Sequence, residues 1–250
     1  MANQPLVSII TPSYNSSDYL SETIKTVLSQ SYKNWEMIIV DDCSTDATEK
    51  IVNSYLEKDS RIKFFKNKIN SGPALSRNKA IEYAKGRFIS FLDSDDLWIP
   101  NKLEKQVEFM LSNNYPFTYS FYSQIDEKGV FIKNIDNLPK FVTYKSSMKS
   151  NKIGCLTAIF DTDFYGKLYM EDLANRQDYT LWLKLLKKYD KAYCCPYILA
   201  KYRVRNNSIS SNKFKLIKYH WVIYKEIEKQ NFFMSVYYLS NYIISKFYNQ

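Results

Sequence analysis

The run Phe88-Ile89-Ser90-Phe91-Leu92 has the length and apolar character of a buried strand, and it ends without a spacer in Asp93-Ser94-Asp95-Asp96. Stripping water from a carboxylate costs far more than a strand gains by burying it. Leu92 is therefore expected to be the last buried residue, with the acids at the strand's C-terminal mouth. A second apolar run, Met37-Ile38-Ile39-Val40, stops the same way at Asp41-Asp42. An open α/β sheet brings such strand ends to one edge, and ligands bind at that edge.

The surrounding periodicity supports this. Val7 to Ile10 reads as a first buried strand, stopped at Thr11-Pro12 because proline lacks the ladder donor. Ser17 is placed to cap a helix whose residues Leu20, Ile24, Val27 and Leu28 share one face. After Val40, Asp46 and Glu49 form a capping-box pattern before a helix that turns Ile51, Val52, Tyr55 and Leu56 inward. Ile62 to Phe65 is a third strand, short or near an edge. Asn70-Ser71-Gly72-Pro73 opens the next helix, with Leu75, Ile81 and Ala84 toward the core and Gly86 as its closing residue. The order β-α-β-α-β-α-β calls for a mostly parallel sheet with right-handed crossovers.

The texture changes after Pro100. Leu103, Val107, Met110 and Leu111 mark a helix. Phe117–Tyr122 and Val130–Ile135 read as a hairpin around Asp126-Glu127-Lys128-Gly129. Leu156 to Phe160 is a candidate strand, and 136–154 reads as a mobile loop. A helix begins near Asn175, with Tyr179, Trp182, Leu185 and Leu186 on its apolar face. Asp178 falls in its first turn, where the helix dipole also favours an acid with no further role. Tyr193 to Val204 is a last strand.

Clustered carboxylates repel one another unless a cation lies between them. Mg²⁺ or a similar hard ion takes one or two carboxylates and fills its shell with phosphate oxygens and water. Asp93, Asp95 and Asp96 are thus candidates for a metal–diphosphate site. Taken alone, Asp-x-Asp also fits a solvated acidic turn before the helix near Pro100. With one histidine, His220, and no Cys-x-x-Cys among Cys43, Cys155, Cys194 and Cys195, a zinc centre or a histidine-based triad is not expected. The cysteines read as reduced thiols in a cytosolic setting. Neither a signal peptide nor a spanning helix is expected.

The net charge of +9 is uneven: residues 201–229 hold eight Lys/Arg against Glu226 and Glu228, which suggests an anionic partner. From Gln230 to Ser245 there is no charge, and Phe233, Tyr237, Ile244 and Phe247 recur at helical spacing. A basic half followed by an aromatic half fits a helix lying on anionic lipid, or a C-terminal helix packed on its own domain.

Taken together, Val7–Asn15, Ile39-Val40-Asp41-Asp42-Cys43-Ser44-Thr45-Asp46, Ala74-Leu75-Ser76-Arg77-Asn78, Phe91–Asp96 and Gln177-Asp178-Tyr179-x-Leu181-Trp182 resemble, in order, the motifs of family 2 glycosyltransferases with a GT-A fold, over roughly residues 5–210. The likeness is strongest to bacterial enzymes of O-antigen, capsule or teichuronic-type polysaccharide synthesis. It implies a GT-A domain over 1–210 (a nucleotide-sugar half, 1–100, and an acceptor half, 101–210) and a helical appendage at 211–250. The sheet would be Rossmann-like and mostly parallel, continued by a mixed acceptor-side region. It implies inverting transfer from a UDP-sugar to a lipid-diphosphate-linked saccharide at the inner membrane face, with no nucleic-acid partner. Pro12, Tyr14 and Asp42 would contact the uridine with Asp41 beside them, and Arg77 would hold the nucleotide end. Asp93 and Ser94 would lie at the ribose or sugar. Asp95 would hold Mn²⁺ or Mg²⁺, with Asp93 as a second candidate ligand, and Asp178 would be the general base. Two departures stand out. The base motif often reads Glu-Asp but here is Gln177-Asp178, which keeps the base. Relatives often carry histidine where this chain has Arg205 in Tyr202-Arg203-Val204-Arg205; arginine cannot bind a cation but can clamp diphosphate.

Two other readings compete. A nucleotidyltransferase would want a Gly- or Lys/Arg-rich phosphate loop where Pro12-Ser13-Tyr14-Asn15 stands. A basic nucleic-acid-binding module would want a recognisable binding pattern, and none is present.

Overall fold

A computed structural model describes residues 4–205 and 213–248. Strand β1 (Val7–Ser13) leads into helix α1 (Leu20–Leu28), β2 (Trp35–Asp41) into α2 (Thr48–Leu56), and β3 (Ile62–Lys66) into α3 (Pro73–Tyr83); β4 (Phe88–Phe91) follows. These strands pair in parallel in the order β3-β2-β1-β4. All of β1, β2 and β4 is buried, because helices cover both faces and leave no side of the strand for water.

The second half comprises β5 (Leu97–Trp98), α4 (Lys102–Asn113), β6 (Phe117–Ile125), β7 (Phe131–Ile135), β8 (Phe141–Thr143), α5 (Tyr144–Lys149), a 3₁₀ turn at Cys155–Thr157, β9 (Ile159–Asp161), α6 (Thr162–Tyr165), α7 (Gln177–Lys188) and β10 (Lys191–Arg203). β9 runs antiparallel to both β4 and β6, so the sheet changes polarity there and continues β4-β9-β6-β10-β5. Core residues of α3 and α7 fill one face, and those of α1, α2 and α4 the other. Last come α8 (Lys213–Val222), a π-helical turn at Ile223–Ile227 and α9 (Phe232–Tyr248).

Several sequence expectations change. β1 runs through Pro12 instead of stopping at Ile10. Ile10 O accepts from Leu92 N, so alternate residues of β1 face β4, and Pro12 faces the side where β4 has already ended. Its missing N–H removes no ladder bond. Ser17 does not cap α1, which starts at Leu20 without a side-chain cap. Asp46 does receive Thr48 N, at 3.0 Å, but Glu49 pairs with Lys66 and closes no capping box. Leu75, expected toward the core, is 41% exposed, at the margin of its helix's apolar face. Gly86 is not a helix cap: a Cβ there would stand 2.6 Å from Ser8 N, so glycine is needed for close backbone approach to β1. The stretch 136–154 holds β8 and α5, the latter opened by a Thr143–Ser146 capping box that lacks the usual acid. Leu156 lies in the 3₁₀ turn, and the strand begins at Ile159.

The C-terminal helices pack on α5 and α7 through Met148, Tyr179, Leu183, Ile223, Tyr224 and Tyr238. His220 is buried there, its ring stacked on Tyr242 at 3.7 Å. The other face of α9 leaves Phe232, Phe233, Val236, Tyr237 and Ile244 exposed. The expected boundary at 210–211 and the side chain of Phe247 lie outside the described residues.

Candidate active site

The ends of β1, β2 and β4 meet at one mouth of the sheet, as the acids predict. Pro12 is buried at the end of β1, and Tyr14 just beyond it is 50% exposed. The turn after β1 is tied to the turn after β2: Asn15 N donates to Ser44 Oγ at 2.8 Å, and Thr45 N to Asn15 Oδ1 at 2.9 Å. Ser16 Oγ lies 2.7 Å from Ser94 Oγ, which ties the same turn to the end of β4. Asp41 is buried and accepts from Ser44 N at 2.9 Å. Asp42 accepts from Asn67 Nδ2, Ser71 N and Gly72 N at 2.7–2.9 Å. Both oxygens of Asp42 thus hold the loop that leads into α3.

The Asp93–Asp96 cluster is divided by its partners. Asp93 Oδ1 pairs with Arg77 Nη2 at 2.5 Å, and Asp95 Oδ2 with Arg205 Nη1 at 2.8 Å. Asp96 is not at the mouth with the others. It is 2% exposed and accepts from Arg203 N at 2.9 Å. The chain turns inward after Asp95, and the tight turn from Asp93 O to Asp96 N carries the third carboxyl under the other two. Burial, then the charge of Asp95, pushes the Asp96 carboxyl well above the usual carboxylate range. Asp95 is also raised, by burial and then by Asp93.

Arg77 comes from the buried side of α3 and is 5% exposed. Its Nε and Nη1 are buried without a protein partner. Asp178, in the first turn of α7, is partly buried in the same electrostatic group as Arg77 and Asp93. Burial raises its carboxyl, and Arg176 and Arg77 oppose that shift. It is therefore no merely dipole-favoured surface acid. The mouth thus gathers Arg77, Asp93, Asp95, Asp178 and Arg205 from α3, the β4 end, α7 and the β10 end.

Two further residues have roles that the sequence did not disclose. Arg203 is 2% exposed; its guanidinium donates to the carbonyls of Asp95, Asp126 and Glu127 and pairs with Glu22 at 2.7 Å. It fixes the acidic turn to the β6–β7 hairpin and α1. Cys155, in the 3₁₀ turn, lies in the field of Asp93, Arg77 and Asp178, and burial pushes its thiol well up, which keeps it neutral. Neither role was signalled by the neighbouring residues, since each is made by chain segments distant in sequence.

Asp95 and Asp93 offer the hard oxygens that Mg²⁺ or Mn²⁺ prefer. Among the described residues no group of three or more His, Cys, Asp or Glu could hold a metal by itself. The donor set fits an ion whose shell is completed by diphosphate and water.

The model for Glycosyl transferase family 2 matches residues 8–174, ending shortly before Asp178. TuaG of Bacillus subtilis (strain 168), a glycosyltransferase assigned to teichuronic acid biosynthesis, is 48% identical over 92% of this chain and 91% of its own. WfgD of Escherichia coli, a UDP-Glc:alpha-D-GlcNAc-diphosphoundecaprenol beta-1,3-glucosyltransferase, is 43% identical over 96% and 92%. The crystal structure of S. aureus TarS in complex with UDP-GlcNAc superposes with a TM-score of 0.75 at 23% identity, over 95% of this chain and 71% of that one.

Proposed function

The chain belongs to glycosyl transferase family 2, with its GT-A fold, and on that premise we propose that it moves a hexose or N-acetylhexosamine, with inversion, from a UDP-sugar to a lipid-diphosphate-linked saccharide in bacterial surface polysaccharide synthesis. Family membership sets aside the nucleotidyltransferase and nucleic-acid-module readings. The observation that carries the proposal is the convergence of Asp178, Arg77 and Asp93 at the sheet mouth. The names of WfgD and of the TarS complex support a uridine nucleotide donor, and that of WfgD a lipid-diphosphate acceptor.

In this reading the acceptor hydroxyl attacks the anomeric carbon on the side opposite the nucleotide. The new C–O bond forms as the bond to the diphosphate oxygen breaks, and the hydroxyl proton passes to the Asp178 carboxylate. A carboxylate raised by burial holds that proton better than an exposed one. Tyr14 and Pro12 border the uridine, Asp41 and Asp42 fix the loops around it, and Ser94 and Asp93 lie toward the ribose and sugar. Arg77 and Arg205 offset charge on the departing nucleotide. A Mn²⁺ or Mg²⁺ ion held by Asp95, with Asp93 beside it, would neutralise the leaving diphosphate.

We also assign residues 1–210 to the transferase domain and 211–250 to an appendage that rests on the inner face of an anionic membrane, which makes the protein cytoplasmic and peripherally bound. The exposed Phe232, Phe233, Tyr237 and Ile244 support this. No helix among the described residues is long and apolar enough to cross a membrane.

The test is UDP release and sugar transfer from a panel of UDP-sugars to a synthetic lipid-diphosphate GlcNAc, with Mn²⁺, Mg²⁺ or EDTA. One donor should give acceptor-dependent UDP release that Asp178→Asn abolishes. No transfer from any donor, to this acceptor or its GalNAc analogue, would reject the substrate assignment.

A further inference from the structure

We propose that Arg176 receives the diphosphate of the acceptor and thereby sets a preference for diphosphate-linked over unphosphorylated acceptors; this rests on the transferase reading above. The chain has six arginines, at 61, 77, 87, 176, 203 and 205. Five are paired: Arg61 with Asp59, Arg77 with Asp93, Arg87 with Asp161, Arg203 with Glu22 and Arg205 with Asp95. Among the described residues Arg176 has no carboxylate within ion-pair distance. Its Nε is buried without a partner, and its Nη2 donates to the neutral hydroxyl of Tyr242 at 3.3 Å. A guanidinium held by a tyrosine, with charge and donors left over, is ready for an anion.

Its position says which anion. Arg176 immediately precedes α7, and after burial its charge is the largest influence on the Asp178 carboxyl. The cation therefore lies on the side of the site where the acceptor hydroxyl must meet its base. In a lipid-diphosphate acceptor the phosphate nearest the sugar is one ring away from the hydroxyls that can react. The donor diphosphate has other cations, Arg77 and Arg205, at the Asp93–Asp95 turn. Tyr242 belongs to α9, whose opposite face is apolar and exposed. One helix thus joins the surface suited to lipid with the arginine suited to its diphosphate head.

The experiment compares the full-length wild type with Arg176→Gln, Arg176→Lys and Tyr242→Phe on two acceptors, lipid-diphosphate GlcNAc and an alkyl GlcNAc without phosphate. UDP affinity is measured alongside by calorimetry. Arg176→Gln should lower the ratio of kcat/KM for the diphosphate acceptor to that for the alkyl acceptor about tenfold or more, chiefly through KM. Arg176→Lys should recover part of the ratio, and Tyr242→Phe should lose a smaller part. An unchanged ratio, or an equal loss on both acceptors, overturns the proposal; weakened UDP binding with an unchanged ratio moves Arg176 to the donor side and overturns it too. Failure of the wild type on both acceptors is a different result, one that removes the substrate assignment above and this inference with it.

Discussion

Arg205 Nη1 stands 2.8 Å from Asp95 Oδ2, so the carboxylate proposed above to hold a divalent cation already holds a tethered one. Arg205 also lies over the ring of Tyr19, at 5.2 Å, which favours this position. An incoming ion must displace the guanidinium, whereas a nucleotide diphosphate offers it a new partner. Metal and nucleotide binding should therefore support each other. Arg205→Ala should raise the affinity of the UDP-free protein for Mn²⁺, followed by electron paramagnetic resonance, by about five- to tenfold. It should also shrink the gain in Mn²⁺ affinity that UDP gives the wild type. Unchanged Mn²⁺ affinity without UDP would show that Arg205 and the metal do not compete.

Asp178→Asn keeps the shape of the side chain but cannot take a proton. Transfer should fall by about 10²–10⁴ while UDP-sugar binding stays near wild type. Because burial raises this carboxyl, the acid limb of kcat/KM should lie above the ordinary aspartate value of 3.8. Activity is lost as pH falls through the raised pKa, where the base becomes protonated. Arg176→Gln removes a charge that opposes the shift and should move that limb further up. A limb at or below the ordinary value would argue against Asp178 as the base.

Lys102 gives a separate test of the fold. It is fully buried, with Nζ 3.0 Å from Gln106 Oε1, 3.3 Å from Ser90 Oγ and 4.2 Å from the Trp98 ring centre. Burial pushes its amine down from 10.5 to about 7. Between those values the unfolded chain binds the extra proton, so this group makes stability rise with pH across the window. Below about 7 the amine is charged in both states and the slope vanishes. Lys102→Met should raise stability at pH 7 by roughly 1–3 kcal/mol and flatten the rise toward pH 9. Urea unfolding at both pH values measures this, and an undiminished slope in the variant would assign it to other groups.

Gly86 is set against backbone. A Cβ would stand 2.6 Å from Ser8 N and 2.7 Å from Leu6 O, atoms that cannot swing aside. Gly86→Ala should cost about 1–3 kcal/mol by overpacking, although alanine normally lowers the entropy lost on folding. Thermal unfolding should show the loss, and a neutral result would mean that β1 and the turn before β4 can separate at little cost.

The alternation of strand and helix, the parallel first half and the acids at its mouth were legible because each depends on local signals. A fully covered strand must be apolar, and a carboxylate must end it or find a partner. Asp178 at a helix start was legible for the same reason. Asp96 was misplaced, because only the turn after Asp95 decides that the third acid points under the others. Leu75 was misplaced because the width of a helix's buried stripe is set by its neighbour.

By itself the sequence determined which segments become strands and helices and which strand ends carry charge, since burial and hydrogen bonding impose those patterns residue by residue. Only the tertiary structure decided how the charges pair. Arg77 meets Asp93 across 16 positions, Arg205 meets Asp95 across 110, and Arg176 meets only the neutral hydroxyl of Tyr242 among the described residues, across 66. An ion pair needs its partners within a few ångströms and leaves no periodicity in either segment, so it exists only once packing has brought those segments together.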